Sequence, residues 1–346
     1  MYGSYRARRP GAATVALSLA VVLLTGCSSD DEGAGRSGRI GSRDQPPTRQ
    51  RAMTDVPYWV NPDGGAARQA AEYARKGDAK SAGLLRRIAE QPTAEWIGTD
   101  NPLGQTESLT VAATSADREA LLVLYNIPHR DCGQYSRGGA ADGDAYREWI
   151  DRVARGIGDR RATVILEPDA LLHLVDGCTP AAFREERFGL LRGAVRRLTR
   201  QPSTTVYLDA GNAGWHSPDA LFEPLQRAGI AEADGFSVNV SNFYPTARSL
   251  DFGERLSAKV SNKPFVIDTS RNGNGPYTEG SDPGENWCNP PGRALGEPPT
   301  TRTNDPLVKA YLWIKRPGES DGTCRGGPEA GEWYPEYALE LARNTK

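Results

Sequence analysis

The chain has 346 residues, and its 42 lysines and arginines nearly balance its 44 aspartates and glutamates, which leaves a formal net charge of −2. Because there is no basic excess, we expect no nucleic acid among its partners. The length suits one large domain as well as two smaller ones. The chain has no internal repeat, and after about residue 50 no linker divides it.

The N-terminus has the composition of an export signal. Arginines at positions 6, 8 and 9 precede an apolar run over residues 12–24, which is shorter than the roughly 20 residues of a permanent transmembrane helix. The run ends in Leu-Leu-Thr-Gly-Cys, which resembles a bacterial lipobox and implies cleavage before Cys27 and attachment of a lipid to its thiol. The alternative is an ordinary secretory signal with an incidental cysteine. We therefore expect residues 1–26 to be a lipoprotein signal peptide and the protein to be exported, anchored to the outer face of the cell membrane only through lipid, or released.

Residues 27–50 are polar and rich in glycine and proline, with almost no apolar side chains. Such a segment cannot bury enough surface to offset the entropy lost on ordering, so we interpret it as a flexible tether. The composition becomes globular near Val56, and we assign residues 51–346 to a single domain.

The elements of this domain begin with a predicted helix over residues 66–91. Buried strands rich in Val, Ile and Leu follow at residues 121–126, 162–166, 204–208, 235–240, 264–267 and 310–314. Helical patterns lie between most of them, over residues 144–157, 180–199, 218–228 and 246–260. This alternation predicts parallel βαβ units and therefore an α/β fold.

Polar side chains follow each predicted strand. They are Asp131, Glu167, Asp169, Asp209, Asn242, Asp268, Lys315, Glu319 and Asp321. A (β/α) barrel would gather them in one cleft, whereas an open doubly wound sheet would gather only a few, and any single acidic residue could simply cap the next helix. Several carboxyl groups without a histidine cluster or a glycine-rich phosphate loop fit a glycosidase, which needs one protonated and one ionised carboxyl group.

Besides Cys27, the chain has four cysteines, at positions 132, 178, 288 and 324. An even number in an exported protein predicts disulfides rather than a metal site, because the spacings typical of zinc ligands are absent. Four cysteines allow three pairings. Sequence proximity favours Cys132 with Cys178 and Cys288 with Cys324.

Five segments carry a more specific signal. They are residues 125–132 (YNIPHRDC), 166–169 (LEPD), 208–215 (LDAGNAGW), 268–275 (DTSRNGNG) and 312–322 (LWIKRPGESDG). In order and spacing they resemble the motifs of glycoside hydrolase family 6, and the similarity extends over about residues 56–346. The resemblance implies a distorted, seven-stranded parallel (β/α) barrel similar to a TIM barrel, which hydrolyses β-1,4-glucan with inversion and without a cofactor. It also supports the nearest-neighbour disulfide pairing.

The resemblance further implies roles for individual residues. Asp169 is the expected general acid, Asp131 the carboxylate that raises its pKa by repulsion, and Asp321 the catalytic base. Tyr125 matches a tyrosine beside the sugar at the cleavage point, although it could equally be a packing residue. The expected substrate-binding platforms are Trp96 and Trp287 on the non-reducing side of the cleavage point and Trp215 on the leaving-group side. The expected polar substrate-binding residues are Asp209, Asn242, Asp268, Lys315 and Glu319.

Two positions depart from the family pattern: Asn212 replaces the usual histidine after Asp-Ala-Gly, and His129 stands where relatives often have a small residue. The segment between Asn272 and Leu312 has no large insertion, which favours an open cleft and an endoglucanase over a cellobiohydrolase with a roofed tunnel. We also expect the protein to be a monomer. A non-catalytic carbohydrate-binding lipoprotein is the alternative from another class. Retention of Asp169 and Asp321 argues against it.

Overall fold

The computed structural model describes residues 56–346. The predicted signal peptide, Cys27, the tether and the first residues of the predicted domain lie outside the described residues, so lipid attachment and export remain predictions. Within the described part, no helix combines the length and apolarity needed to cross a membrane.

Seven parallel strands form one sheet within residues 56–346, and each strand pairs with the next in chain order. The strands are β1 (Glu95–Trp96), β2 (Ala120–Leu124), β3 (Ala162–Leu166), β4 (Thr204–Asp209), β5 (Gly235–Val238), β6 (Phe265–Asp268) and β7 (Val308–Leu312). Beside the edge strands, the Ala94 N–H donates to the Trp313 carbonyl over 3.0 Å, which joins the two edges of the sheet. The sheet therefore curls into a distorted seven-stranded (β/α) barrel, and the predicted fold class is confirmed.

Helices precede, connect and follow the strands. They are α1 (Gly65–Arg75), α2 (Ala79–Ala89), α3 (Pro102–Ser115), α4 (Gly143–Ile157), α5 (Leu172–Val175), α6 (Arg184–Leu198), α7 (Pro218–Ala228), α8 (Thr246–Lys259) and α9 (Pro335–Asn344). The connections through α4, α6, α7 and α8 correspond to the predicted βαβ units.

The alternating side chains of each strand supply two apolar layers. In β2, Leu122 and Leu124 face the surrounding helices, whereas Leu121 and Val123 face the barrel interior together with Ile165. Full burial of one such side chain stabilises the fold by about 1.5–3 kcal/mol. A one-residue slip would exchange the two faces, so this pattern fixes the register and the positions at which the strands end.

Two predicted helices are interrupted. The predicted helix over residues 66–91 is instead α1 and α2, because the chain turns at Gly77 with a left-handed φ of +81°. The next residue, Asp78, starts α2 by accepting a hydrogen bond from the Ser81 N–H over 3.0 Å. The predicted helix over residues 180–199 begins as a short 3-10 turn, Ala181–Phe183, before α6.

Four elements were not predicted: β1, α3, α5 and α9. Strand β1 has two residues and α5 has four, which is too short for a periodic pattern. Helix α3 buries Pro102, Thr106, Thr110 and Ala113, so its inner face lacks the large apolar residues that mark an amphipathic helix.

Candidate active site

A cavity of about 950 Å³ opens where the strands end. The predicted site residues in its lining are Trp96, Tyr125, Asp131, Asp169, Trp215, Asn242, Trp287, Lys315, Glu319 and Asp321. Two predicted members, Asp209 and Asp268, are outside the lining and are almost completely buried. The barrel therefore brings most of the predicted residues together, as expected for the carboxyl ends of parallel strands.

Asp169 follows β3 on a backbone with left-handed φ angles at both Glu167 (+50°) and Asp169 (+66°). Strained backbone of this kind is typical of functional sites. Burial raises the pKa of Asp169 well above its usual range, and the carboxylates of Asp209 and Asp131 raise it further. This environment favours the protonated form of the carboxyl group, which is the form that a proton donor requires.

Asp209 lies behind Asp169. One of its oxygens accepts hydrogen bonds from the N–H groups of Asp169 (3.0 Å) and Gly211 (3.1 Å), and the other accepts from the Ser237 hydroxyl (3.0 Å). Burial raises the pKa of Asp209 to about 6, although these hydrogen bonds lower it. The predicted direct contact with substrate does not fit this position. Asp209 instead acts on Asp169, and its effect on that pKa exceeds the effect of Asp131.

Asp131 lies on the loop after β2, and one of its oxygens accepts a hydrogen bond from the Ser136 N–H. Burial raises the pKa of Asp131 despite that hydrogen bond. The adjacent Cys132 is bonded to Cys178, with 5.9 Å between their Cα atoms, so the loop is tied to the segment that follows α5. A second disulfide joins Cys288 to Cys324, so both pairs are nearest neighbours in sequence.

Asp321 lies in a cationic environment. Its two oxygens are 3.0 and 2.8 Å from Nη1 of Arg271, and one of them is 3.4 Å from Nζ of Lys315. Burial alone would raise the pKa of Asp321, but the charges of Arg271 and Lys315 outweigh it and bring the pKa below its usual value. Asp321 is therefore ionised under conditions in which Asp169 is protonated.

Arg271 was not identified from the sequence, although it lies within the segment 268–275. Its side chain is fully buried, Nη2 donates to the Ser241 carbonyl over 2.6 Å, and the guanidinium lies 4.4 Å from the centre of the Phe243 ring. These contacts leave Nη1 directed at Asp321. An arginine in a motif next to acidic residues is the signal that could have revealed this pair.

Asp268 holds the ends of three strands together. Its carboxylate accepts hydrogen bonds from the N–H groups of Ser241, Ser270, Ile314 and Lys315 at 2.9 to 3.2 Å. Because both oxygens are occupied and buried, the predicted contact of Asp268 with substrate does not fit the structure.

Glu167 has a similar role on the other side of the site. The fully buried carboxylate accepts hydrogen bonds from the N–H groups of Asn126 and Ile127 at 2.9 to 3.0 Å, directly after Tyr125. Burial raises the pKa of Glu167 to about 7. The sequence placed Glu167 after a strand, but its role in fixing the Tyr125 loop depends on contacts between strands.

The three tryptophans of the lining are partly exposed and each has a defined neighbour. Trp96 donates from Nε1 to the Ile314 carbonyl over 3.0 Å and meets Tyr125 edge to face at 5.7 Å. The ring centres of Trp287 and Tyr135 are 6.0 Å apart. Flat apolar faces beside polar groups are the surfaces that bind sugar rings.

The polar residues after β7 are also held by contacts. Lys315 donates to the Ser320 carbonyl over 3.0 Å, and Glu319 accepts from Arg316 over 2.9 Å. Of the two departures from the family pattern, Asn212 is buried in the cavity lining, and its side-chain oxygen accepts from the Gly214 N–H over 3.0 Å. His129 is outside the lining and stacks on Phe183 at 4.1 Å.

A parallel (β/α) barrel with one carboxyl group kept protonated and another kept ionised in a cleft with aromatic walls has the architecture of a glycosidase domain. Residues 53–345 match the family described as Glycosyl hydrolases family 6, and the chain belongs to this family. The predicted family is thereby confirmed.

Several relatives of the chain are named endoglucanases. The chain is 45% identical to Endoglucanase A of Cellulomonas fimi over 267 residues, which cover 76% of this chain and 56% of that relative. It is 42% identical to Endoglucanase 1 of Streptomyces halstedii over 295 residues, which cover 82% and 88% of the two chains. The chain thus spans little more than half the length of the Cellulomonas relative.

Solved structures show the same similarity. The endoglucanase Cel6 from Mycobacterium tuberculosis, in complex with methyl-cellobiosyl-4-deoxy-4-thio-β-D-cellobioside, is 46% identical and superposes with a TM-score of 0.78. The match covers 84% of this chain and 97% of that one. Endoglucanase Cel6B from Humicola insolens is 29% identical with a TM-score of 0.71, over 84% and 97% of the two chains.

Proposed function

We propose that the protein is an inverting endo-1,4-β-glucanase that hydrolyses internal bonds of cellulose or related β-glucans. The observation that carries the proposal is the opposite electrostatic environment of two carboxyl groups in one cavity. Anionic neighbours and burial favour a proton on Asp169, whereas Arg271 and Lys315 favour an ionised Asp321. The relatives that are named endoglucanases support the same conclusion.

In the proposed reaction, Asp169 donates its proton to the glycosidic oxygen as the bond from that oxygen to the anomeric carbon breaks. A water molecule attacks the opposite face of the anomeric carbon, and its proton passes to Asp321, directly or through a second water. Inverting enzymes need about 6.5–9.5 Å between the two carboxyl groups to accommodate the nucleophilic water. The ion pair with Arg271 makes Asp321 a weak base. Transfer of the proton through a second water is therefore an alternative to direct transfer at this site.

The first prediction concerns Asp131. Asp131→Asn removes one of the negative charges that raise the pKa of Asp169. Activity that requires a protonated Asp169 is lost as the pH rises through the pKa of that residue, so the substitution should move the basic limb of the kcat/KM profile to lower pH. Asp159→Asn is the matched control, because Asp159 is exposed in the turn after α4 and lies outside the cavity lining. An unchanged basic limb in Asp131→Asn would contradict the proposed role.

The second prediction concerns the mode of cleavage. Internal cuts shorten a polymer fastest, so the viscosity of carboxymethylcellulose should fall steeply while few reducing ends appear. One contact favours the alternative, a cellobiohydrolase: the Tyr135 hydroxyl donates to Glu285 over 2.9 Å and connects two loops that line the cleft. Almost pure cellobiose with little loss of viscosity would support that alternative. The same two measurements on the variant Tyr135→Phe, which lacks the contact, show whether the contact affects the mode of cleavage.

A further inference from the structure

His173 is a cavity-lining residue to which the reaction above assigns no role. It lies in α5, one turn after Asp169, and its N–H donates to the Asp169 carbonyl over 3.0 Å. The side chain lines the catalytic cavity, yet only 7% of the residue is exposed. Its ring is therefore part of the wall of the cavity and has little surface available for substrate.

The imidazole is fixed by its own contacts. Nδ1 lies 3.4 Å from Oδ2 of Asp176, and the other oxygen of that carboxylate, Oδ1, accepts a hydrogen bond from the Cys178 N–H over 2.8 Å. Nε2 is buried and has no hydrogen-bond partner among residues 56–346. One nitrogen thus orients the ring, and the rest of the ring serves as a packing surface.

That packing surface meets Trp215. The two ring centres are 5.1 Å apart and the ring planes are inclined by 75°, an edge-to-face contact. The turn that carries Trp215 also packs on α5 at Gly211, where φ is +75° and a Cβ atom would lie 2.2 Å from the side chain of Leu172. Helix α5 therefore contacts both the backbone of this turn and its partly buried indole.

We infer that His173 is a positioning residue that fixes the indole of Trp215 as the sugar platform on the leaving-group side of the cleft. The inference rests on the proposed function, because it takes the ligand to be a β-1,4-glucan. The imidazole that supports the platform comes from α5, one turn after the proposed proton donor.

Binding of a thio-linked cellotetraoside, which cannot be cleaved, tests the inference by calorimetry. His173→Ala should raise the Kd about three- to tenfold, the effect of losing one edge-to-face aromatic contact. His173→Phe keeps a ring edge against Trp215 and should restore most of the affinity. His173→Gln keeps a polar group near Asp176 without a ring, and it should not restore affinity.

A small substrate provides the specificity control. The leaving group of β-cellobiosyl fluoride is a single atom that cannot reach the platform, so the KM for this substrate should change less than about twofold in His173→Ala. The double variant His173→Ala/Trp215→Ala should bind the thio-oligosaccharide no more weakly than Trp215→Ala alone, since the two residues act as a unit.

Additive losses in the double variant, equal losses for both ligands, or rescue by glutamine but not by phenylalanine would overturn the inference. Failure of the proposed function is distinguishable from these results. A protein that binds the thio-oligosaccharide but never releases sugar would refute hydrolysis, while the Kd comparison among the His173 variants would still decide the role of His173.

Discussion

Asp169→Ala is expected to reduce hydrolysis of barley β-glucan by about 10²–10⁴-fold, the usual contribution of general acid catalysis. The same variant should lose far less activity on β-cellobiosyl fluoride, because fluoride leaves with little protonation. The physical reason is the environment of Asp169, in which burial and the carboxylates of Asp209 and Asp131 keep the proton in place. Initial rates on the two substrates measure the difference.

Asp159→Ala is a suitable control for this experiment, since Asp159 is exposed in the turn after α4 and lies outside the cavity lining. It should retain full activity on both substrates. Equal losses on glucan and on the fluoride in a folded Asp169→Ala protein would mean that Asp169 does not protonate the leaving group.

Asp321→Ala is expected to lose both activity and stability. Removing the carboxylate eliminates the proposed base, for a loss of about 10²–10⁴-fold in kcat. It also leaves the buried guanidinium of Arg271 without its ion pair, which typically costs about 3–5 kcal/mol of unfolding free energy. Denaturant unfolding and steady-state kinetics on β-glucan measure the two effects separately.

The double variant Asp321→Ala/Arg271→Met separates stability from catalysis. It removes both charges, so it should recover much of the lost stability and none of the activity. Recovery of activity together with stability would show that Asp321 is only structural. In the unmodified protein, the lowered pKa of Asp321 means that its ion pair stabilises the fold above the ordinary carboxyl range. This contribution should be lost as the pH falls through that lowered pKa.

The positions of the proposed acid and base were predictable because strand ends and short motifs identify them. Asp131, Asp169 and Asp321 follow strands whose apolar runs are evident in the sequence, and all three line one cavity. The direction in which a carboxylate points was not predictable. Asp209 and Asp268 are the last residues of β4 and β6, but neighbouring backbone N–H groups turn both carboxylates inward, and those contacts exist only after the strands pair.

The electrostatic differences between the carboxyl groups also depend on tertiary distances. Like-charge repulsion on Asp169 was expected from Asp131, whereas Asp209 is the stronger neighbour. The partner of Asp321 is Arg271, which is 50 residues away in sequence. A motif indicates which residues are present, but the pKa of each one depends on which charges the fold places beside it.

Proton NMR of freshly formed products tests the central claim most directly. If Asp169 and Asp321 act as acid and base in a single displacement, cello-oligosaccharide cleaved by the unmodified protein should first yield the α-anomer at the new reducing end. Mutarotation should then produce the β-anomer. Initial appearance of the β-anomer would show retention of configuration and contradict the roles proposed for both residues.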